Sequence, residues 1–340
     1  MTTHPCIAAI DVHVHAVPPA LLERVGRGEF PGIELSSNGT SSMLTFVDMA
    51  SSPPVPLSMT SAAALAASSA AQHVALQLLG PWTDFFGYTL PETVAVDWCR
   101  AYNIELVEMC AGNPHQLPMA TIPLIFPSRA VAELHAARAL GCHGVMIGTD
   151  LPGGLHLGSA ELDPVWEAAA ALDMPVLLHP TRLDVPGELN VAGLKNAVGR
   201  AEPTAIALTR LLYAGVLNRH PELSFIACHG GGGFAAVAPR VLRNHEIGWS
   251  ETDVDVQEGV SRLYFDSVVL DPRLLGFLVE VYGADRFVLG SDLPFPWEPH
   301  PVATLIASDL GADATASIAH KNARQLYRLP SVPRCPACSA

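Results

Sequence analysis

Ile7-Ala8-Ala9-Ile10-Asp11-Val12-His13-Val14-His15 reads as a buried strand whose last turn of pleat carries two imidazoles on one side. The run before the histidines is apolar without alternation, as expected of a strand covered on one face and packed into a filled interior on the other. The same character recurs at Val74–Leu79, Met119–Leu124, Gly144–Ile147, Val176–His179, Ser224–His229, Leu263–Val269 and Phe287–Asp292. Helical stretches separate many of these runs: Glu92–Ala111, Ser128–Leu140 (with Ser128 as N-cap and Gly141 as stop), Asp163–Leu172, Thr204–Arg219, Pro272–Tyr282 and Pro301–Leu310. Repeated β-then-α segments predict an α/β protein, either a closed (β/α)8 TIM barrel or an open doubly wound sheet.

Two stretches break the rhythm. Residues 16–60 are rich in Pro, Gly and Ser and too long for a plain turn, so they predict an insertion after the first strand, near the barrel mouth. Thr60–Ala71 is alanine-rich and suits a tightly packed helix. The expected organisation is a single barrel domain over residues 1–328, followed by a Pro-rich tail, 329–340.

Composition narrows the function classes. Of 340 residues, 49% are apolar and 15% charged, with a formal net charge of −14 and no basic run. Nucleic acid is therefore not an expected partner. An anionic substrate would be repelled unless a metal or an arginine reversed the field locally. No signal-peptide pattern and no bilayer-length apolar run stand out, so a soluble, cytoplasmic protein without membrane contact is expected. The seven cysteines are scattered and most read as buried reduced thiols; Cys335 and Cys338 form a lone C-x-x-C in the tail, without the further soft ligands a zinc tetrahedron needs.

The polar residues concentrate at the ends of the strands. His13 and His15 close the first, His179 (in Leu-Leu-His-Pro) the fifth, His229 (in Cys-His-Gly-Gly-Gly-Gly) the sixth, and Asp292 (in Gly-Ser-Asp-Leu-Pro) the eighth. Barrels place active sites at this end. Neutral imidazoles with a carboxylate make a first shell for one divalent ion, zinc first, with manganese or iron as alternatives. An open sheet would leave the first and eighth strands far apart; closure makes them neighbours, which favours the barrel. The glycines after His229 allow a sharp turn, close backbone approach to a ligand, and amides presented at the start of a helix from Phe234.

The motifs D-x-H-x-H, H-P, H-G-G-G and G-S-D-x-P-F-P resemble the amidohydrolase superfamily, and within it the amidohydrolase 2 branch that contains 2-amino-3-carboxymuconate-6-semialdehyde decarboxylase. Cys99–Asn103, Ile147–Thr149 and Asn322-Ala323 also look family-like. The resemblance implies that His13, His15, His179 and Asp292 bind the metal, with His229 as general acid/base and Asp292 assisting. It implies one ion, because the fourth strand lacks the lysine that bridges two; Asp150 is the residue that could support a second. It also implies a homodimer and places Arg240, eleven residues beyond His229, against a substrate carboxylate, partly across the dimer interface. The arginine expected before the second strand is absent, since residues 40–81 contain none, and Thr181 replaces a tryptophan after the H-P pair. Phe295 and Trp297 would wall a conjugated or aromatic substrate.

The resulting expectation is a metal-dependent nonoxidative decarboxylase of a small conjugated or aromatic carboxylate. A hydrolase or hydratase on the same ligands is the alternative, followed by an iron-dependent oxygenase and a non-catalytic binding barrel.

Overall fold

The computed structural model describes residues 8–37, 41–181, 189, 191 and 193–329. Ile7, Cys6 and the Cys335–Cys338 pair lie outside the described residues, as does the tail beyond Leu329. Among the described residues ten strands occur in chain order: β1 (Ala9–Ala16), β2 (Ile33–Ser37), β3 (Ser42–Phe46), β4 (Val74–Pro81), β5 (Gln116–Pro118), β6 (Val145–Gly148), β7 (Val176–His179), β8 (Phe225–Ala227), β9 (Tyr264–Asp266) and β10 (Phe287–Val288).

Every residue of β1, β4, β6 and β7 is buried, the physical counterpart of their unbroken apolar character. They pair in parallel in the orders β1-β4-β5 and β6-β7-β8-β9-β10. A bridge between Ala120 and Val145 joins the two runs, with Ala120 N–H donating to Gly144 O at 2.8 Å. At the other seam Val12 N–H donates to Leu289 O at 3.0 Å, Asp292 N–H to His13 O at 2.9 Å and His15 N–H to Leu293 O at 2.7 Å. The sheet is therefore closed, and the open-sheet alternative is excluded.

Several boundaries differ from expectation. The third barrel strand is Gln116–Pro118 followed by the single bridge at Ala120, rather than Met119–Leu124; Pro118 and Pro123 each lack a ladder N–H. The last strand stops at Val288, because residues beyond it turn to place Asp292, at φ 60°. The helix expected from Ser128 begins one residue earlier with Pro127 at its first position, where a missing N–H is harmless. The helix expected over Thr204–Arg219 is two, Ala201–Tyr213 and Val216–Arg219, divided at Gly215 with φ 67°.

The described residues of 16–60 include a helix, Pro19–Gly26, and two antiparallel strands that pair Ile33 with Phe46. Leu21, Phe30, Leu44 and Phe46 bury themselves with Trp82, Phe85, Trp98 and Leu293, so this excursion has an apolar core shared with the ends of the barrel strands. Tyr102 ties the two together. Its hydroxyl donates to Ala16 O at 2.7 Å and accepts from Trp82 N–H at 3.1 Å. The neighbouring Asn103 amide bonds Thr121 O and N and Glu133 Oε1, while Asn322 donates to both Ala284 O and Phe287 O. The family-like residues away from the strand ends are braces for the barrel backbone. Among the described residues, no helix is long and apolar enough to cross a membrane.

Tyr102→Phe removes one hydroxyl and orphans a buried carbonyl and a buried amide. It should destabilise the fold by about 1–3 kcal/mol, read as a lowered denaturant midpoint with unchanged slope.

Candidate active site

β1 delivers His13 and His15 to the same side of the barrel, both fully buried. β7 ends at His179, and the segment after β10 carries Asp292. One nitrogen of each of the three imidazoles and one Asp292 oxygen all lie within 4.8 Å of one another. His13 Nε2 lies 3.2 Å from His15 Nε2. Asp292 Oδ1 lies 2.9 Å from His15 Nε2, 3.3 Å from His13 Nε2 and 3.9 Å from His179 Nε2.

The outer ring nitrogens decide the tautomers. His13 Nδ1–H donates to Asp266 Oδ2 at 2.6 Å, His15 Nδ1–H to Pro81 O at 2.9 Å and His179 Nδ1–H to Pro180 O at 2.8 Å. These acceptors have no proton to give, so in the neutral rings every Nε2 is a bare lone pair turned inward. His179 Nε2 is buried with no hydrogen-bond partner. Lone pairs facing one another beside a carboxylate repel; a divalent cation among them turns repulsion into ligation. The donor set, N3O, suits zinc or manganese.

The electrostatics of the cluster make the same demand for positive charge. Burial pushes the His15 and His179 imidazolium forms down, His179 well below its ordinary value. Burial alone would lower His13 too, but Cys228, Asp292 and Asp266 beside it drive it well above that value. Asp292, which burial would raise, is held far below the usual carboxylate range by the imidazoles, His13 foremost.

His229 follows β8 with a positive φ of 57°, a backbone strain shared with Asp292. Its Nε2 stands 3.4 Å from Asp292 Oδ2, and its side chain is partly open to the cavity. The expectation that the following glycines offer their amides to a ligand is not met. Gly230 N–H donates to Asp266 Oδ1, Gly231 to Cys228 O, Gly232 to His229 O and Gly233 to Ala201 O. Their use is spatial: a Cβ on Gly230 would meet Val269 at 2.4 Å, and one on Gly232 would meet Ala201 O at 2.6 Å.

A cavity of about 720 Å³ opens above the cluster, lined by His179, His229 and Asp292 at its floor and by Trp82, Phe295 and Trp297 on one wall. Val268, Val269, Leu274 and Phe277 line it as well. Arg240 is not among the lining residues of this chain and lies on an exposed position of the helix Phe234–Glu246. Asp150 stands outside the four-residue cluster, with its carboxylate accepting from the Thr149 and Thr181 hydroxyls at 3.3 and 3.4 Å.

Sequence reasoning missed Asp266 and Arg200. Asp266 ends β9, an acid at the same end of the barrel as the histidines, which was the available signal. It orients His13 with one oxygen and receives Gly230 N–H and Val268 N–H with the other. Arg200 lines the cavity from the segment after β7, far from any motif.

A family profile described as Amidohydrolase matches residues 10–329. A 2-amino-3-carboxymuconate-6-semialdehyde decarboxylase of Dictyostelium discoideum is 25% identical over 303 residues, 84% of this chain and 82% of that one. In solved structures, Metarhizium anisopliae IDCase in apo form superposes with a TM-score of 0.81 at 20% identity, covering 95% of this chain and 98% of that chain. The 5-carboxyvanillate decarboxylase of Novosphingobium aromaticivorans, complexed with manganese and 4-hydroxy-3-methoxy-5-nitrobenzoic acid, superposes at 0.75 with 19% identity, covering 95% and 96%. These structural likenesses establish the shared fold.

Asp266→Asn removes the anionic acceptor from His13 Nδ1–H. Divalent-metal affinity, measured by competition with a chromophoric chelator, should fall roughly 10- to 100-fold while the far-ultraviolet dichroism stays as in the parent.

Proposed function

We propose, from the premise that the chain belongs to the amidohydrolase family, that it is a metal-dependent nonoxidative decarboxylase of a small aromatic or conjugated carboxylic acid. The observation that carries this reading is the convergence of three inward Nε2 atoms and Asp292 at the floor of an apolar cavity beside His229. The decarboxylases among its relatives support the reaction class, and the manganese in one of them supports a divalent ion at such a site. Zinc remains the first expectation for this chain, with manganese equally compatible with the donor set.

His13, His15, His179 and Asp292 would hold the ion. When bound, it supplies positive charge that stabilises the anion left as carbon dioxide departs. Trp82, Phe295 and Trp297 would clasp the planar acid and keep water from the reacting carbon. The carbon–carboxylate bond breaks with its electron pair remaining on the substrate carbon, and that carbon takes a proton. The His229–Asp292 pair faces the cavity and is placed to deliver it, with His229 regaining a proton from solvent through its open side. A hydrolase or hydratase would use the same floor but add water rather than release carbon dioxide; the largely apolar walls favour the decarboxylase.

The proposal extends to a cytoplasmic homodimer. Exposed Leu274 and Phe277, which line the cavity, and exposed Val281 on the same helix support self-association. Unpaired buried thiols at Cys99, Cys110, Cys142 and Cys228 suit a reducing compartment.

The test is carbon dioxide release from a panel of hydroxybenzoates and muconate-type acids by metal-loaded protein. Turnover should be present in the parent and reduced roughly 10²- to 10⁴-fold in His229→Asn at unchanged metal content. Release of no carbon dioxide from any acid, with water added to a substrate instead, would transfer the site to the alternative.

A further inference from the structure

Arg200 is the only arginine or lysine among the described residues lining the cavity. Of its five N–H groups, one on Nη1 donates to Pro180 O at 2.9 Å. That carbonyl also receives the Nδ1–H of His179 at 2.8 Å. A single backbone oxygen therefore links the guanidinium to a residue of the metal cluster and fixes its distance from the cavity floor. Behind it Asp84, whose side chain is 2% exposed, stands 3.9 Å from Nη2, while the Arg200 side chain keeps 23% of its surface open. The acid thus stands beside the guanidinium, and the Arg200 side chain forms part of the cavity lining.

We propose that Arg200 recognises the substrate's carboxylate, making the site selective for acids over their neutral, decarboxylated products. The inference rests on the decarboxylase reading for the reaction, though the anion recognition itself does not need turnover. A planar fork of N–H donors matches a carboxylate's two oxygens. A chain of net charge −14 needs such local reversal to admit an anion. Within one chain Arg240, the arginine singled out by sequence, lies on an exposed helix position outside the cavity lining, so it would reach a carboxylate only from a partner copy, and Lys195 and Lys321 do not line the cavity. Loss of the carboxylate as carbon dioxide removes the group Arg200 holds, so the reaction itself breaks that contact.

The test compares 2-hydroxybenzoate with phenol, which differ by that carboxylate, on metal-loaded parent, Arg200→Met and Arg200→Lys. Binding is read by quenching of the tryptophan emission, since Trp82 and Trp297 line the cavity, and metal content is measured alongside. Arg200→Met should weaken the acid roughly 10- to 100-fold, with Arg200→Lys intermediate, phenol unchanged and the metal retained. Equal weakening of acid and phenol, an unaltered affinity for the acid, or loss of metal from both variants would overturn the proposal. If the parent releases no carbon dioxide from any acid and the acid–phenol contrast still holds, the decarboxylase reading fails and Arg200 keeps its role. Turnover without that contrast sinks this inference alone.

Discussion

Three lone pairs aimed at one point cannot be left unanswered in a protein interior. Each of His13, His15 and His179 has its Nδ1 proton committed to a fixed acceptor, and each turns its Nε2 towards the others and Asp292. Burial opposes charging His15 and His179, while at His13 the neighbouring Cys228, Asp292 and Asp266 outweigh burial, so two inward lone pairs still face one another beside a charged ring. A cation resolves both problems at once, and the geometry around the cluster is the geometry of its support.

That support explains much of the barrel. β1 supplies two imidazoles because residues two apart share a side, and the seam bonds from Asp292 N–H to His13 O and from His15 N–H to Leu293 O bring the last segment of the barrel against them. Asp266 then spans the next junction, holding His13 with one oxygen and the turn after His229 with the other. Asp11 sits beneath, its carboxyl raised to about 7 by burial and held by the Ser291 hydroxyl at 2.5 Å. Ligand, acid/base residue and barrel closure are thus one connected hydrogen-bonded unit, so a change at any of these positions is felt at the others.

What was legible in the sequence follows from the same physics. Strands buried on both faces read as unbroken apolar runs, and a polar residue ending such a run is costly enough to be noticed, which is how His13, His15, His179, His229 and Asp292 stood out. Strand limits were less legible where prolines 118 and 123 replace ladder pairing with a single bridge at Ala120. The glycines after His229 read as ligand-facing amides, but the space they leave for Val269 and Ala201 is a tertiary fact with no local signature. Arg200 was illegible for the same reason: it comes from a segment without periodicity, and only the fold brings it beside Pro180. Arg240 stood out by its spacing from His229, yet within one chain it faces away from the cavity.

The cavity adds the second half of the chemistry. Apolar walls, a charged floor and, among the described residues, one guanidinium suit a flat acid that enters with one charge and leaves without it. All of that presupposes the ion. X-ray absorption spectroscopy at the metal edge, on protein loaded with zinc or manganese to saturation, addresses it directly. The expected spectrum shows one ion per chain with an imidazole shell of about three nitrogens near 2.0–2.2 Å, completed by oxygen. A spectrum without imidazole scattering, or with a second metal at short range, would contradict the account.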